Sequence, residues 1–282
     1  MKNQKLFLIV KDHSVSNETF SLLHDNNLDL LITAPKPSVK DLPKYYESAD
    51  YISHSDGKRS ILEIIYRRVK NFTIKNKLKL INEWHHKKGA LLDIGGGTGE
   101  FLSAAQKNDW ITTGTEPNDK AREIALKKGV QFIVNTSKLK DNSMDVITMW
   151  HVLEHVHDLD AQIIELNRLL KPDGTLFIAV PNFKSFDAKY YGSNWAAFDV
   201  PRHLWHFSKN AIQTIFNKQD LTLKKVIPMK FDAFYVALLS EKYKNGTTNY
   251  FKAFIIGLKS NWKARKNLEY SSNIYILKKA GN

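Results

Sequence analysis

Residues 150–158 read WHVLEHVHD and contain His151-x-x-Glu154-His155, the spacing of an inverted zinc-peptidase motif. Two imidazoles at that spacing share a metal only when a continuous helix turns both to one face. The preceding residues, MDVITMW (144–150), read instead as an apolar strand. Trp150 and His151 then fall at a strand end, and His155 lies beyond, in a loop or a first helical turn. No metal is expected there.

A second stretch, LLDIGGGTGEF (91–101), places Asp93 near the end of a strand, followed by Gly95, Gly96, Gly97 and Gly99. Glycines let the chain turn tightly and let a ligand lie against bare backbone. In open parallel sheets ligands sit at the carboxyl ends of the strands, so this loop reads as a cofactor cradle. A phosphate loop would end in Gly-Lys-Ser/Thr, and a dinucleotide loop would read G-x-G-x-x-G/A. Here Gly99 precedes Glu100, and both dinucleotide registers fail, at Glu100 and at Leu102. Asp93 and Glu100 also bracket the place where a pyrophosphate would rest. A cation without phosphate suits the site, and S-adenosylmethionine carries a sulfonium and an ammonium. The next strand ends in Glu116, whose carboxylate can accept from both hydroxyls of a ribose; Pro117 offers an apolar surface for an adenine. Trp150 and His151 wall the same site.

His203 and His206, in DVPRHLWHFS (199–208), follow a later strand, on the side where an acceptor would approach. An imidazole titrating near neutrality can remove a proton from a hydroxyl or an acidic carbon, so both are candidate bases.

The elements that must position these groups alternate. ALLDI (90–94), ITTGTE (111–116), VQFIV (130–134), MDVITMW and TLFIAVPN (175–182) read as strands; 98–109, 118–129 and 159–174 read as helices, the last stopped by Pro172 and Gly174. Such alternation implies a parallel sheet with helices on both faces. A helix near 208–218, a strand over 221–230, a helical insertion near 232–268 and a strand over 272–279 follow. Ahead of the core, 1–37 are short apolar runs and 38–88 are helical and basic. The expected organisation is an appendage (1–37), a helical N-terminal lid (38–88) and the core (89–282).

The chain has 282 residues, 43% of them hydrophobic, enough for a sizeable core. It has no Cys, which excludes disulfides and thiolate metal sites. The longest early apolar run is five residues, Leu6 to Val10, and nothing approaches the roughly 20 apolar residues of a membrane span. The expected setting is the cytoplasm, with no signal peptide. The net charge is +13, but only seven basic residues are Arg, and the Lys are spread along the chain. A solvated basic surface is favoured over a nucleic-acid site.

Taken together, LLDIGGGTGEFL, TGTEPNDKAREIA, MDVITMWHVLEHVHD and LNRLLKPDGTLFIAVPN resemble, in order, the motifs of class I S-adenosylmethionine-dependent methyltransferases. The tail VPRHLWHFSKNAIQTIFNKQDLTLKKV resembles their small-molecule branch, which includes ubiquinone-pathway O-methyltransferases and sugar C-methyltransferases. The resemblance implies a Rossmann-like α/β fold: a seven-stranded, mostly parallel sheet in order 3-2-1-4-5-7-6 with its last strand antiparallel. In the family the stretch after the fourth strand binds no metal. HDNNLDLLITAPKP (24–37) resembles the turn after a zinc ribbon, with Asp25 and Leu28 where paired Cys would stand; the appendage must therefore be held by packing. KYYESADYISH (44–54) resembles a segment that folds over the cofactor, which makes Tyr45, Tyr51 and His54 lid candidates.

The implied function is methyl transfer to an O, N or C nucleophile of a small molecule, and glycans and nucleotide sugars are among the candidates. The Tyr and Lys content of 232–268 would suit an anionic or aromatic acceptor. Two alternatives stay open: an RNA-modifying or nucleic-acid-binding protein of this fold, and a non-catalytic cofactor-binding scaffold. Against the first, no Asn/Asp-Pro-Pro-aromatic motif follows the fourth strand. The oligomeric state is not legible.

Overall fold

Leu91 and Leu92 are successive residues of one strand, both fully buried, one in each of two hydrophobic clusters. Side chains alternate across a strand, so a strand buried on both faces lies inside a sheet covered on both sides. The computed structural model, which describes residues 4–46 and 61–281, builds such a sheet.

The chain starts with three antiparallel strands, β1 (Gln4–Lys11), β2 (Thr19–Asp25) and β3 (Leu30–Ala34). A long helix, α1 (Ile61–Trp84), leads into the core: β4 (Ala90–Ile94), α2 (Glu100–Gln106), β5 (Ile111–Thr115), α3 (Asp119–Leu126), β6 (Phe132–Ile133) and β7 (Met144–Trp150). Then come α4 (Leu159–Leu169), β8 (Leu170–Pro181), α5 (Phe186–Tyr191), β9 (Trp205–His206), α6 (Lys209–Asn217), β10 (Leu221–Pro228), α7 (Asp232–Asn245), α8 (Tyr250–Ala264) and β11 (Ser272–Lys279). The large sheet runs β10-β11-β8-β7-β4-β5-β6, with β11 antiparallel to both neighbours. That is the expected order and direction.

The two sheet faces are covered by different helices. Leu92, Ile147, Leu176 and Ile178 pack with Ile163 and Leu166 of α4 and Ile212 and Phe216 of α6. Leu91, Val146 and Phe177 pack with Leu78 and Ile81 of α1 and Phe101 and Leu102 of α2. Helix starts follow side-chain chemistry: Asn118, Asp158, Ser185, Ser208 and Asn249 each accept a backbone N–H as N-caps.

Two elements differ from the sequence expectation. The helix expected to run to Gly174 ends at Leu169, because Leu170 already pairs with Met144 and the ladder shifts before Thr175 pairs with Val146. Pro172 and Gly174 occupy that irregularity. A Cβ on Gly174 would stand 2.7 Å from the Leu170 side chain and 3.1 Å from the Asp145 carbonyl oxygen, so glycine suits the close approach. The strand expected over 130–134 pairs only at Phe132–Ile133.

The N-terminal strands do not stand alone. β3 pairs with β9, placing Leu31 opposite His206 and Ile32 opposite Trp205, so the small sheet is completed by the core's own tail. The expected packing is present: Val10, Phe20, Leu22 and Leu31 share a cluster with Trp195, Phe198 and α7 and α8 residues. A buried ion pair adds to it. Arg202 reaches Asp12 at 2.9 Å and Asp199 at 2.8 Å. Between β2 and β3, Asp25 accepts the N–H groups of Asn27 (2.9 Å) and Leu28 (3.1 Å) in a side-chain turn.

Candidate functional site: the strand-end crevice

Past Ile94 the chain reverses over β5. Gly95 and Gly96 both donate to the Thr115 carbonyl, at 2.9 and 3.0 Å. Gly95, Gly97 and Gly99 have φ of 72°, 53° and 76°, a left-handed region that other residues enter at a cost. The neighbouring space explains two of them further. A Cβ on Gly95 would strike Val152 at 2.4 Å, and one on Gly99 would strike Ala125 at 2.8 Å. Among the described residues nothing lies within 4 Å of that position on Gly97, so its Cα side is open, as a ligand cradle requires.

Two carboxylates flank the loop. Asp93, only 2% exposed, accepts from the Thr148 hydroxyl of β7 at 2.6 Å. Burial pushes its carboxyl up; the Thr148 hydrogen bond and the charge of Lys77 oppose that shift without cancelling it. Glu116, past the end of β5, accepts from Gly97 N–H at 2.8 Å and Asn118 N–H at 2.9 Å. A carboxylate has about four lone-pair sites, which leaves room for ribose hydroxyls. Pro117 beside it is exposed. Glu100, expected to help repel phosphate, is already neutralised by Lys70 at 2.7 Å and Lys128 at 3.0 Å. Burial works against its charge, but hydrogen bonds from Lys70, Thr98 and Lys128 hold it down at about 2. Discrimination by sign therefore falls to Asp93 and Glu116.

The opposite wall comes from β7, α1 and α7. The Trp150 ring meets Phe101 edge-on at 5.6 Å, and its buried Nε1 has no partner among the described residues. Lys77 of α1 stands 4.2 Å over the Trp150 ring. Desolvation pushes this ammonium down, while Asp93 and Asp232 hold it up. His151 leaves the strand at φ 59°. Its Nδ1 lies 3.4 Å from Glu154 and its Nε2 3.1 Å from Asp232. Desolvation opposes its charge, but the carboxylates of Asp232 and Glu154 outweigh it and push the imidazole up to about 10. His151 is thus a cation at neutral pH. Lys77, Thr148 and Asp232 carried no signal in the sequence: Lys77 sits among the lysines of a basic helix, and Asp232 belongs to an insertion.

The remaining histidines gather elsewhere. His155 lies in a 3-10 turn, Leu153–His155, with its Nδ1 3.0 Å from the Arg202 carbonyl and its ring 4.6 Å from that of His203. Desolvation and the nearby His203 push it down to about 4. His203 is buried with Nδ1 2.9 Å from the Ala197 carbonyl. His206 is buried with Nε2 2.9 Å from the Thr33 hydroxyl, which donates to the His203 carbonyl at 2.7 Å; desolvation, then His203, pushes it far down. One ligand atom each from Glu154, His155 and His203 lies within 4.8 Å of the others, a set able to hold a cation. His151 is not in that set, so the motif's two histidines do part company. Tyr45 is buried, its hydroxyl donates to Glu18 at 2.7 Å, and its ring meets Phe20. It lines a surface cavity of about 510 Å³ with Asn17, Glu18 and Pro35, none of them a crevice residue. Tyr51 and His54 lie outside the described residues.

The crevice fits S-adenosylmethionine: open backbone at Gly97, acids at both strand ends, no basic residue between Asp93 and Gly99, and an unpartnered indole N–H. A family profile described as "Methyltransferase domain" matches residues 66–226. The ubiquinone biosynthesis O-methyltransferase of Pelagibacter ubique (strain HTCC1062) is 31% identical over 202 residues, 66% of this chain and 81% of that protein. The enzyme of the same name from Actinobacillus pleuropneumoniae serotype 7 (strain AP76) is 32% identical over 135 residues, 42% of this chain, and the match spans 58% of its length. In fold, the chain is similar to geranyl diphosphate C-methyltransferase from Streptomyces coelicolor A3(2), with TM-score 0.55 and 14% identity over 81% of this chain and 84% of that one. No helix among the described residues is long and apolar enough to cross a membrane. Motif order, sheet order and the family match agree, and the chain belongs to the class I S-adenosylmethionine-dependent methyltransferases.

Proposed function

We propose that this protein moves the methyl group of S-adenosylmethionine to an oxygen nucleophile of a small anionic or aromatic acceptor, glycan- and nucleotide-sugar-related molecules included. The observation that carries the reading is the open Gly97 backbone lying between Asp93 and Glu116. The bound cofactor supplies an electrophilic methyl on a sulfonium that leaves as a neutral sulfide. The protein's own part is alignment and exclusion of water; orientation alone contributes about 7–11 kcal/mol at best. Asp93 and the glycine loop would hold the amino-acid end, Glu116 the ribose, and Pro117 the adenine, with Trp150 and His151 closing the site.

The named activity of the relatives, O-methylation, supports oxygen as the nucleophile. His151 is already balanced by Glu154 and Asp232, so support for an anionic or aromatic acceptor comes from the Tyr and Lys content of 232–268. A nucleophile already ionised needs no base. His203 and His206, each buried and already bonded at the joint of the two sheets, fit a positioning role better than proton transfer.

Titration calorimetry with S-adenosylhomocysteine tests the cradle. Glu116→Ala is expected to weaken binding about a hundredfold or more, the cost of two charge-assisted hydrogen bonds. Wild-type protein that takes up no S-adenosylhomocysteine would end the proposal. Labelled cofactor incubated with fractionated metabolites then identifies the acceptor.

A further inference from the structure

α8 turns large apolar side chains outward. Phe251 is 77% exposed, Phe254 53%, Leu258 45% and Trp262 66%. The spacing i, i+3, i+7, i+11 keeps the four within about a quarter turn of one another, so they form one stripe along the helix. The opposite side is satisfied: Ala253, Ile256, Gly257, Ser260 and Ala264 are buried against the protein. A stripe of this kind on a folded monomer marks a contact surface.

Charge decides what it contacts. Residues 232–268 hold seven basic side chains (242, 244, 252, 259, 263, 265 and 266) and two acidic ones, Asp232 and Glu241. Neither acid is free: Asp232 pairs with His151, and Glu241 is buried with Lys252 at 3.2 Å. Helix α8 itself has no acidic residue. A second copy packed stripe to stripe would bring like charges together. A nucleic acid would meet Leu258, which offers no ring to stack, in the middle of the stripe. Aromatic and aliphatic side chains bordered by lysines are what an interfacial helix presents to an anionic bilayer.

We propose that α8 seats this protein on an anionic membrane surface, with Phe251, Phe254, Leu258 and Trp262 entering the headgroup–acyl boundary and Lys259 and Lys266 against the lipid charge. The stripe also connects to the crevice. Phe254 stacks on Phe234 at 5.5 Å, and Phe234 lies two residues from Asp232, the partner of His151. An acceptor dissolved in the bilayer would therefore meet the protein beside its site. The docking itself does not depend on the methyltransferase reading.

Co-sedimentation with vesicles tests it. Full-length protein is expected to pellet with 7:3 phosphatidylcholine:phosphatidylglycerol vesicles and much less with phosphatidylcholine alone, and added salt should release it. Phe251→Ser with Trp262→Ser, and separately Lys259→Glu with Lys266→Glu, should each lower vesicle affinity about tenfold or more. Circular dichroism and S-adenosylhomocysteine affinity are expected to stay at wild-type values, which confirms that the variants fold. Equal binding to neutral vesicles, no binding to either, or variants that bind like wild type would overturn the proposal. So would a wild-type dimer that the Phe251/Trp262 variant dissociates, or retention of RNA in preference to vesicles.

Discussion

Asp93 and Asp12 are both aspartates with almost no exposed surface, 2% and 1%, yet they stand in opposite electrostatic states. Asp12, in the turn after β1, accepts the N–H groups of Ser14, Val15 and Ser16 and a hydrogen bond from Arg202. Burial raises its carboxyl, but those bonds outweigh it and hold it down at about 2. Asp93 has one hydroxyl donor, and burial prevails. The first aspartate is held by those four hydrogen-bond donors; the second, at the end of a sheet, has one among the described residues. A buried carboxylate kept under-satisfied is useful where a cationic ligand completes it.

The contrast breaks most visibly at Arg202. Replacing it with Met leaves Asp12 and Asp199 without their shared cation, and removing one partner of a buried pair costs about 3–5 kcal/mol. Urea denaturation of Arg202→Met should show that loss, while the remaining folded protein binds S-adenosylhomocysteine at near wild-type affinity. A stability loss under about 1 kcal/mol would mean that the joint between the two sheets is held by packing alone.

A second test inverts the first. An Asp whose folded pKa is raised opposes folding at pH values above its ordinary range, and the penalty fades as the pH falls and both states protonate. Asp93→Asn should therefore raise stability at pH 8, with less gain at pH 5, while cofactor affinity drops about tenfold or more. For Asp12 the sign is opposite. Its contribution is present above the unfolded pKa near 4 and is lost as the pH falls toward its folded value of about 2. Asp12→Asn should thus lose stability at neutral pH with cofactor affinity unchanged. If Asp93→Asn destabilises instead, the buried acid is paired after all.

The crevice and the joint also differ in how legible they are. Asp93, the alternating glycines and Glu116 sit within one strand–loop–helix–strand unit, where spacing along the chain fixes proximity in space. Gly97 and Glu116 meet across 19 residues. The joint is assembled across far longer separations, Asp12 to Arg202 over 190 residues and Thr33 to His206 over 173. No local pattern announces such pairs, so His203 and His206 read as candidate bases from their place after a strand. Three-dimensional packing instead surrounds them with Ala197, Thr33 and His155. The apolar runs of 1–34 were legible as short elements, but not their pairing with Trp205 and His206. The Tyr45 hydroxyl bonds Glu18, a partner that no motif places. At the start of β8 the misreading was local. Pro and Gly usually end helices, and here they sit in a strand irregularity.

Lys77 offers the finest test, because it lies within the crevice yet behaves like part of neither region. Its ammonium rests on the Trp150 ring, and among the described residues no carboxylate comes within ion-pair distance. It is attracted by Asp93 and Asp232 from farther away, so it partly supplies the positive charge that Asp93 lacks. A cationic cofactor must then share or displace that charge. Lys77→Met keeps most of the aliphatic stem and removes the competitor, so S-adenosylmethionine should bind a few-fold tighter to the variant. The gain should be smaller for S-adenosylhomocysteine, whose sulfur is neutral. Wild-type affinity should climb as rising pH discharges the depressed Lys77 amine, and the Met variant should lack that component. Equal affinities in wild type and variant from pH 7 to 9 would show that Lys77 leaves the crevice at no cost. Weaker binding by the variant would make the lysine a ligand-holding group, and Asp93 would then owe its ionised state to the protein rather than to the cofactor.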